Sequence, residues 1–183
     1  MFARSSTLGL LITVAVSLPT DRTPVYRIQS SGAVSLNVTG REAQYGLTRE
    51  KVDGKAVLTI SLGATSGNGA LMLFTDGEEL PRSGRYPVYF SWEGGAKVES
   101  RWFHACFIAG TVERPVGAFH GQSGWVTITD NKAGLISGEF ELRAQGFLSG
   151  DINDENQWVM LQGAFTAAAD STTTKLVAAR TAE

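Results

Sequence analysis

Apolar and polar residues alternate in short steps along most of this chain. Val34, Leu36 and Val38 are separated by Ser35, Asn37 and Thr39. Ala56, Leu58, Ile60 and Leu62 repeat the pattern, with Thr59 and Ser61 between them. A period of two places every second side chain on one face, the mark of a half-buried β-strand. Asp53-Gly54 is a hairpin turn signal that joins this run to a strand over residues 43–48. Gly67-Asn68-Gly69 turns the chain into residues 70–74, and Asp76-Gly77 turns it again. Further strands are expected at 86–92, 97–103, 105–108, 125–129, 136–144 and 157–167, with Gly94-Gly95 between the first two. No stretch of this region holds a 3.6-residue apolar period. The pattern therefore predicts an all-β fold, a single antiparallel sandwich or barrel of about 9–11 short strands.

One segment breaks the alternation. Residues 8–18 form a continuous apolar run, with Leu8, Leu10, Leu11, Ile12, Val14, Val16 and Leu18 behind Arg4. A positive start, an apolar stretch and the small-x-small sequence Ala15-Val16-Ser17 fit a secretory signal. As a helix, the run rises about 16 Å against a hydrocarbon core of about 30 Å. Extending it back to Phe2 gives about 25 Å, with Arg4 reaching for the interface. It is thus expected to be a cleaved signal or a short membrane anchor that leans on a membrane partner. The expected order is a short apolar N-terminal helix over 1–18, an exposed connector over 19–33, a β-domain over 34–170 and a flexible tail over 171–183. Pro19, Pro24 and several hydroxyl residues argue against helix in the connector.

Composition narrows the class. Of 183 residues, 21 are Gly and only 5 are Pro, so bends come from tight turns rather than stiff linkers. A net charge of -2 gives no basic surface, so no nucleic-acid partner is expected. The single cysteine, Cys106, has no internal disulfide partner; Phe103 and Phe107 beside it suggest an apolar position. No cysteine lies near the end of the apolar run, so a lipidated-cysteine anchor is not expected.

The last third is the most patterned. Gly124-Trp125-Val126-Thr127-Ile128-Thr129 is followed by Ile136-Ser137-Gly138-Glu139-Phe140-Glu141-Leu142, then by Val159-Met160-Leu161-Gln162-Gly163-Ala164-Phe165-Thr166-Ala167. These motifs resemble the closing strands of uncharacterised bacterial envelope and lipoprotein β-domains. The resemblance implies a β fold in a bacterial envelope and no particular activity. The residues themselves say that Ile136, Phe140, Leu142 and Ala144 face a core while Glu139, Glu141 and Arg143 face water. Gly138 inside such a strand signals a bulge or an aromatic ring packed over it.

Few residues offer chemistry. His104 and Cys106 share a strand face and, with His120, make a candidate soft-metal set for copper or zinc. A packed cysteine and a hydrogen-bonded histidine explain them more simply. Asp151, Asn153 and Glu155 present oxygen at alternate positions, as a calcium loop does. The turn glycine and closing glutamate of such a loop are missing, and a solvated hairpin suffices. Glu78-Glu79 reads as a solvated turn rather than half of a glycosidase pair. Nucleophile elbows, phosphate loops and dinucleotide fingerprints are absent from the sequence. Trp125 falls on the polar side of its strand, opposite Val126 and Ile128, and with Trp92 is the candidate partner contact.

The expectation is a non-catalytic domain with no cofactor, working by contact. It would be an extrinsic periplasmic accessory subunit that docks on and stabilises a larger membrane protein complex. A photosynthetic reaction-centre or antenna assembly is one example of such a host. The alternative is an exported domain that binds a small ligand or sugar. Large interior residues at Leu58, Ile60, Leu71, Phe90 and Phe140 would argue for a filled barrel over a ligand-holding one. A hydrolase would need facing carboxylates or a Ser-His pair.

Overall fold

The computed structural model describes residues 23–49, 56–63, 68–77, 79–90, 101–111, 113–132 and 134–170. Ten strands run through them: β1 (Val25–Gly32), β2 (Leu36–Gly40), β3 (Ala43–Arg49), β4 (Ala56–Leu62), β5 (Gly69–Asp76), β6 (Gly84–Pro87), β7 (His104–Gly110), β8 (Pro115–Lys132), β9 (Leu135–Leu148) and β10 (Gln157–Ala169). No helix occurs among the described residues. The expected N-terminal helix, with Leu8, Leu10, Leu11, Ile12, Val14, Val16 and Leu18, lies outside them.

The fold is all-β, as the alternation predicts, but its strands are unequal. β8, β9 and β10 span 18, 14 and 13 residues, longer than the short strands expected. They pair antiparallel along almost their whole length. Each outer member then serves two neighbours on its far edge. β8 pairs β7 through its first half and β6 through its second. β10 pairs β1 over most of its length and meets β3 in a short parallel contact, Ala168 with Gln44 and Ala169 with Tyr45. The path β10-β3-β4-β5-β7-β8-β9 returns to β10, so seven strands close into a ring. Closure pairs the ring strands with one another and leaves β2 and β6 as the sheet's edges. β1 with β2, and β6 alone, extend the long three-stranded ribbon on either side.

Every ring strand buries alternate residues. Leu58, Ile60 and Leu62 of β4 face Leu71 and Leu73 of β5, with Phe107 of β7, Phe119 of β8 and Tyr45 of β3, all at most 1% exposed. Each such aliphatic or aromatic side chain contributes about 1.5–3 kcal/mol on burial. Two glycines make room for two rings. Phe140 pairs with Gly163 and Phe165 with Gly138, so each ring covers the partner strand's bare backbone. A ring packed over Gly138 is one of the two arrangements its sequence setting suggests.

Two bulges in β8 set what faces out. The register slips between Gly121 and Ser123 and again between Ile128 and Asp130. Before the first slip the buried set is Gly117, Phe119 and Gly121; after it the set is Val126 and Ile128. The odd positions become the outer ones, which turns Trp125 to solvent. Gly124, at a φ of 124°, carries the turn of backbone that follows the slip, where a Cβ would meet the Glu141 carbonyl.

Three expectations are corrected. Residues 25–32, assigned to an exposed connector, form β1, because Tyr26, Ile28 and Ser30 alternate inward behind the misleading Pro24. The strand expected over 86–92 is β6 at Gly84–Pro87, followed by a single bridge from Val88 to Phe103. Of the strand expected over 97–103, the described part contributes only that bridge. Ser30, a buried polar residue in β1, is satisfied: its hydroxyl donates to the Val34 carbonyl at 2.9 Å and accepts from the Leu36 amide at 3.0 Å.

Candidate functional site

The outer face of the strands β2-β1-β10-β9-β8-β6 carries two aligned rows of side chains. One runs Thr39, Arg27, Ala164, Glu139, Thr127, Arg85. The next runs Asn37, Gln29, Gln162, Glu141, Trp125, Pro87. Neighbouring strands lie about 4.8 Å apart, so Arg27 and Arg85 each stand two strands, about 10 Å, from Glu139. The small Ala164 and Thr127 occupy the steps between. The charges are thereby kept apart, and on β10 this row carries only the methyl group of Ala164.

Three grooves run together here and share Glu141. The first, about 480 Å³, lies between Arg27 and Gln29 on one side and Arg85 and Trp125 on the other. The second, about 520 Å³, is bounded by Tyr89, Trp125, Arg143 and Met160. The third, about 350 Å³, extends past Gln162 to Leu36 and Asn37. Trp125 stands 40% exposed between the first two, with Tyr89 and Met160 at 49% and 47% along the second.

Two guanidinium groups stiffen the face. Arg85 lies 4.3 Å from the centroid of the Trp125 ring, and Arg143 lies 3.9 Å from that of Trp158. Each is a cation–π contact that holds a long side chain flat and keeps its remaining donors outward. Gln162 donates its amide to Gln29 across the strand pair at 3.0 Å.

The expected metal residues are partly gathered. Cys106 and His120 are direct partners on β7 and β8. His104 is two residues from Cys106 on β7, but its Nε2 accepts the Trp102 indole N–H at 3.1 Å. That bond commits the lone pair a metal would use. Burial raises the Cys106 thiol pKa above its ordinary value. Among the described residues, no three His, Cys, Asp or Glu side chains gather as a metal-binding group.

Asp151, Asn153 and Glu155 are exposed in the loop between β9 and β10. Asp154 closes this loop on itself, accepting from the Asn156 amide at 3.0 Å and from the Gln157 side chain. Trp92 and Glu78 lie outside the described residues. Leu58, Ile60, Leu71 and Phe140 are buried as interior filling demands, whereas Phe90 is 38% exposed and rests against His120 at 5.3 Å. Phe90 follows the end of β6, beyond the regular pairing that would turn it inward.

Sequence reasoning placed Trp125 on an outer face but missed Arg85, Gln29 and Met160 beside it. Their neighbourhood follows from strand order, which no local signal carries. No family model, curated protein or solved structure matches the chain.

Proposed function

We propose that this protein is a non-catalytic domain that works by contact, docking on a larger protein assembly through the outer face around Trp125. The observation that carries this reading is the composition of the second groove. Arg85, Trp125, Arg143 and Met160 meet there on paired strands, with Tyr89 just past the end of β6. Trp, Tyr and Arg are the side chains that dominate protein interfaces, and a thioether adapts to a partner's shape. A rigid sheet holds them at little entropic cost on binding. Filled interior positions favour this reading over a ligand held inside the barrel. An extrinsic accessory subunit at a bacterial membrane is the setting that the apolar run at 8–18 favours.

The test is native purification of the full chain from membranes, with co-purifying chains identified. Trp125→Ala and Arg85→Ala are expected to abolish co-purification, while Ile152→Ala, in the exposed β9–β10 loop, leaves it intact. A free monomer, or a complex indifferent to Trp125 and Arg85, would overturn the proposal.

A further inference from the structure

Cys106 has a second neighbour that its place in the sequence conceals. Met72 of β5 is its register partner on one side and His120 of β8 on the other. The three therefore stand in one row across three adjacent strands. Leu71, Leu73, Ala105, Phe107, Phe119 and Gly121, which flank them along the chain, are all buried toward the core. Alternation thus puts Met72, Cys106 and His120 together on the outer face. Directly opposed residues on paired strands have Cβ atoms about 4.5–5.5 Å apart. A thioether, a thiol and an imidazole at that spacing can reach a single ion above the central cysteine.

The groups are also available. Cys106 is a free thiol, half-buried. His120 is exposed and in contact with the Phe90 ring, and its side chain forms no hydrogen bond among the described residues. His104 differs, since Trp102 engages its ring nitrogen.

We propose that Met72, Cys106 and His120 form a three-coordinate site for Cu(I). The donor set selects the metal. Zinc sites are built from cysteine, histidine and carboxylate and close with four ligands, while a thioether beside a thiolate suits the softer Cu(I). The partial burial that disfavours a bare thiolate accepts one neutralised by a monovalent cation. This site does not depend on the docking face.

The test is anaerobic titration of the reduced full chain with Cu(I), in competition with a Cu(I) chelator and with thiolate-to-copper absorption as a second readout. One equivalent is expected to bind. Cys106→Ser and His120→Ala are each expected to weaken binding beyond the ~10–100-fold that a change outside the ligand shell costs. Met72→Leu, which preserves shape, is expected to weaken it at least about 10-fold. His104→Ala is expected to leave the affinity unchanged. Circular dichroism on every variant separates loss of a ligand from loss of fold. Failure to bind Cu(I) would overturn the site. So would binding by folded protein that survives Cys106→Ser, His120→Ala or Met72→Leu, or that falls as far with His104→Ala.

Discussion

The ring of Phe165 lies over Gly138, its register partner on the neighbouring strand. A Cβ at position 138 would come 2.8 Å from the ring's Cζ and 2.6 Å from the Thr127 carbonyl oxygen. One contact could be relieved by rotating a side chain; the other requires the backbone of β8 to move. Gly138→Ala is therefore expected to destabilise the fold by about 1–3 kcal/mol. Gly150→Ala, where nothing lies within 4 Å, is expected to stay within ~0.5 kcal/mol. Urea denaturation of the two variants against the parent checks this, and equal midpoints for all three would refute the packing.

The first bulge in β8 makes a comparison of adjacent residues informative. Val126 is fully buried, whereas Trp125 is 40% exposed under the Arg85 guanidinium. Val126→Ala should cost about 1–3 kcal/mol through lost burial and a cavity. Trp125→Ala should cost only about 1 kcal/mol, the worth of an exposed cation–π contact. Denaturation midpoints ordered the other way would mean that the strand runs through without the slip.

The same bulge shows what was legible in the sequence. Val126 and Ile128 alternate with Trp125 and Thr127, so the outward place of Trp125 could be read locally. That Phe119 shares the inner face with Val126 could not, since the two differ in parity and only the slip reconciles them. β1 was hidden for a similar reason: Pro24 and the hydroxyl residues masked an alternation of only Tyr26, Ile28 and Ser30. Strand order lies deeper still. Arg85 meets Thr127, and Met72 meets Cys106, through pairings between distant segments that no turn residue specifies.

Burial shifts three groups in a direction that makes the fold sensitive to alkali. It raises the Cys106 thiol above its ordinary 9.0, and the Tyr26 and Tyr45 hydroxyls above 10.0, with Glu42 and Asp170 adding to the latter two. In each case the folded chain holds a proton that the unfolded chain releases more readily. The stability from this source is complete below the ordinary pKa and is lost as pH rises through the raised one. Denaturation midpoints should thus fall across pH 9 and further above pH 10. Cys106→Ser should flatten the earlier part of the decline. Tyr45→Phe should flatten the later part without loss at neutral pH, because the Tyr45 hydroxyl is buried with no hydrogen-bond partner among the described residues. Superimposable curves for parent and Cys106→Ser between those values would exclude the thiol as a source.

Thr75 and Arg101 form a polar contact whose removal should be costly from one side only. Thr75 is fully buried and its hydroxyl accepts from Arg101 Nε at 3.2 Å. Arg101 Nη2 lies against Gly77 with no hydrogen-bond partner among the described residues, and burial lowers the guanidinium's pKa, opposed by Tyr86, Glu79 and Asp76. Thr75→Val keeps the shape but takes an acceptor from a partly desolvated cation, a loss of about 1.5–3 kcal/mol. In an Arg101→Met background no cation is left to be stranded, and the same change should cost less than ~0.5 kcal/mol. The coupling from this double-mutant cycle should be at least about 1 kcal/mol. Additive changes would mean that Arg101 draws its support from the neighbouring carboxylates rather than from Thr75.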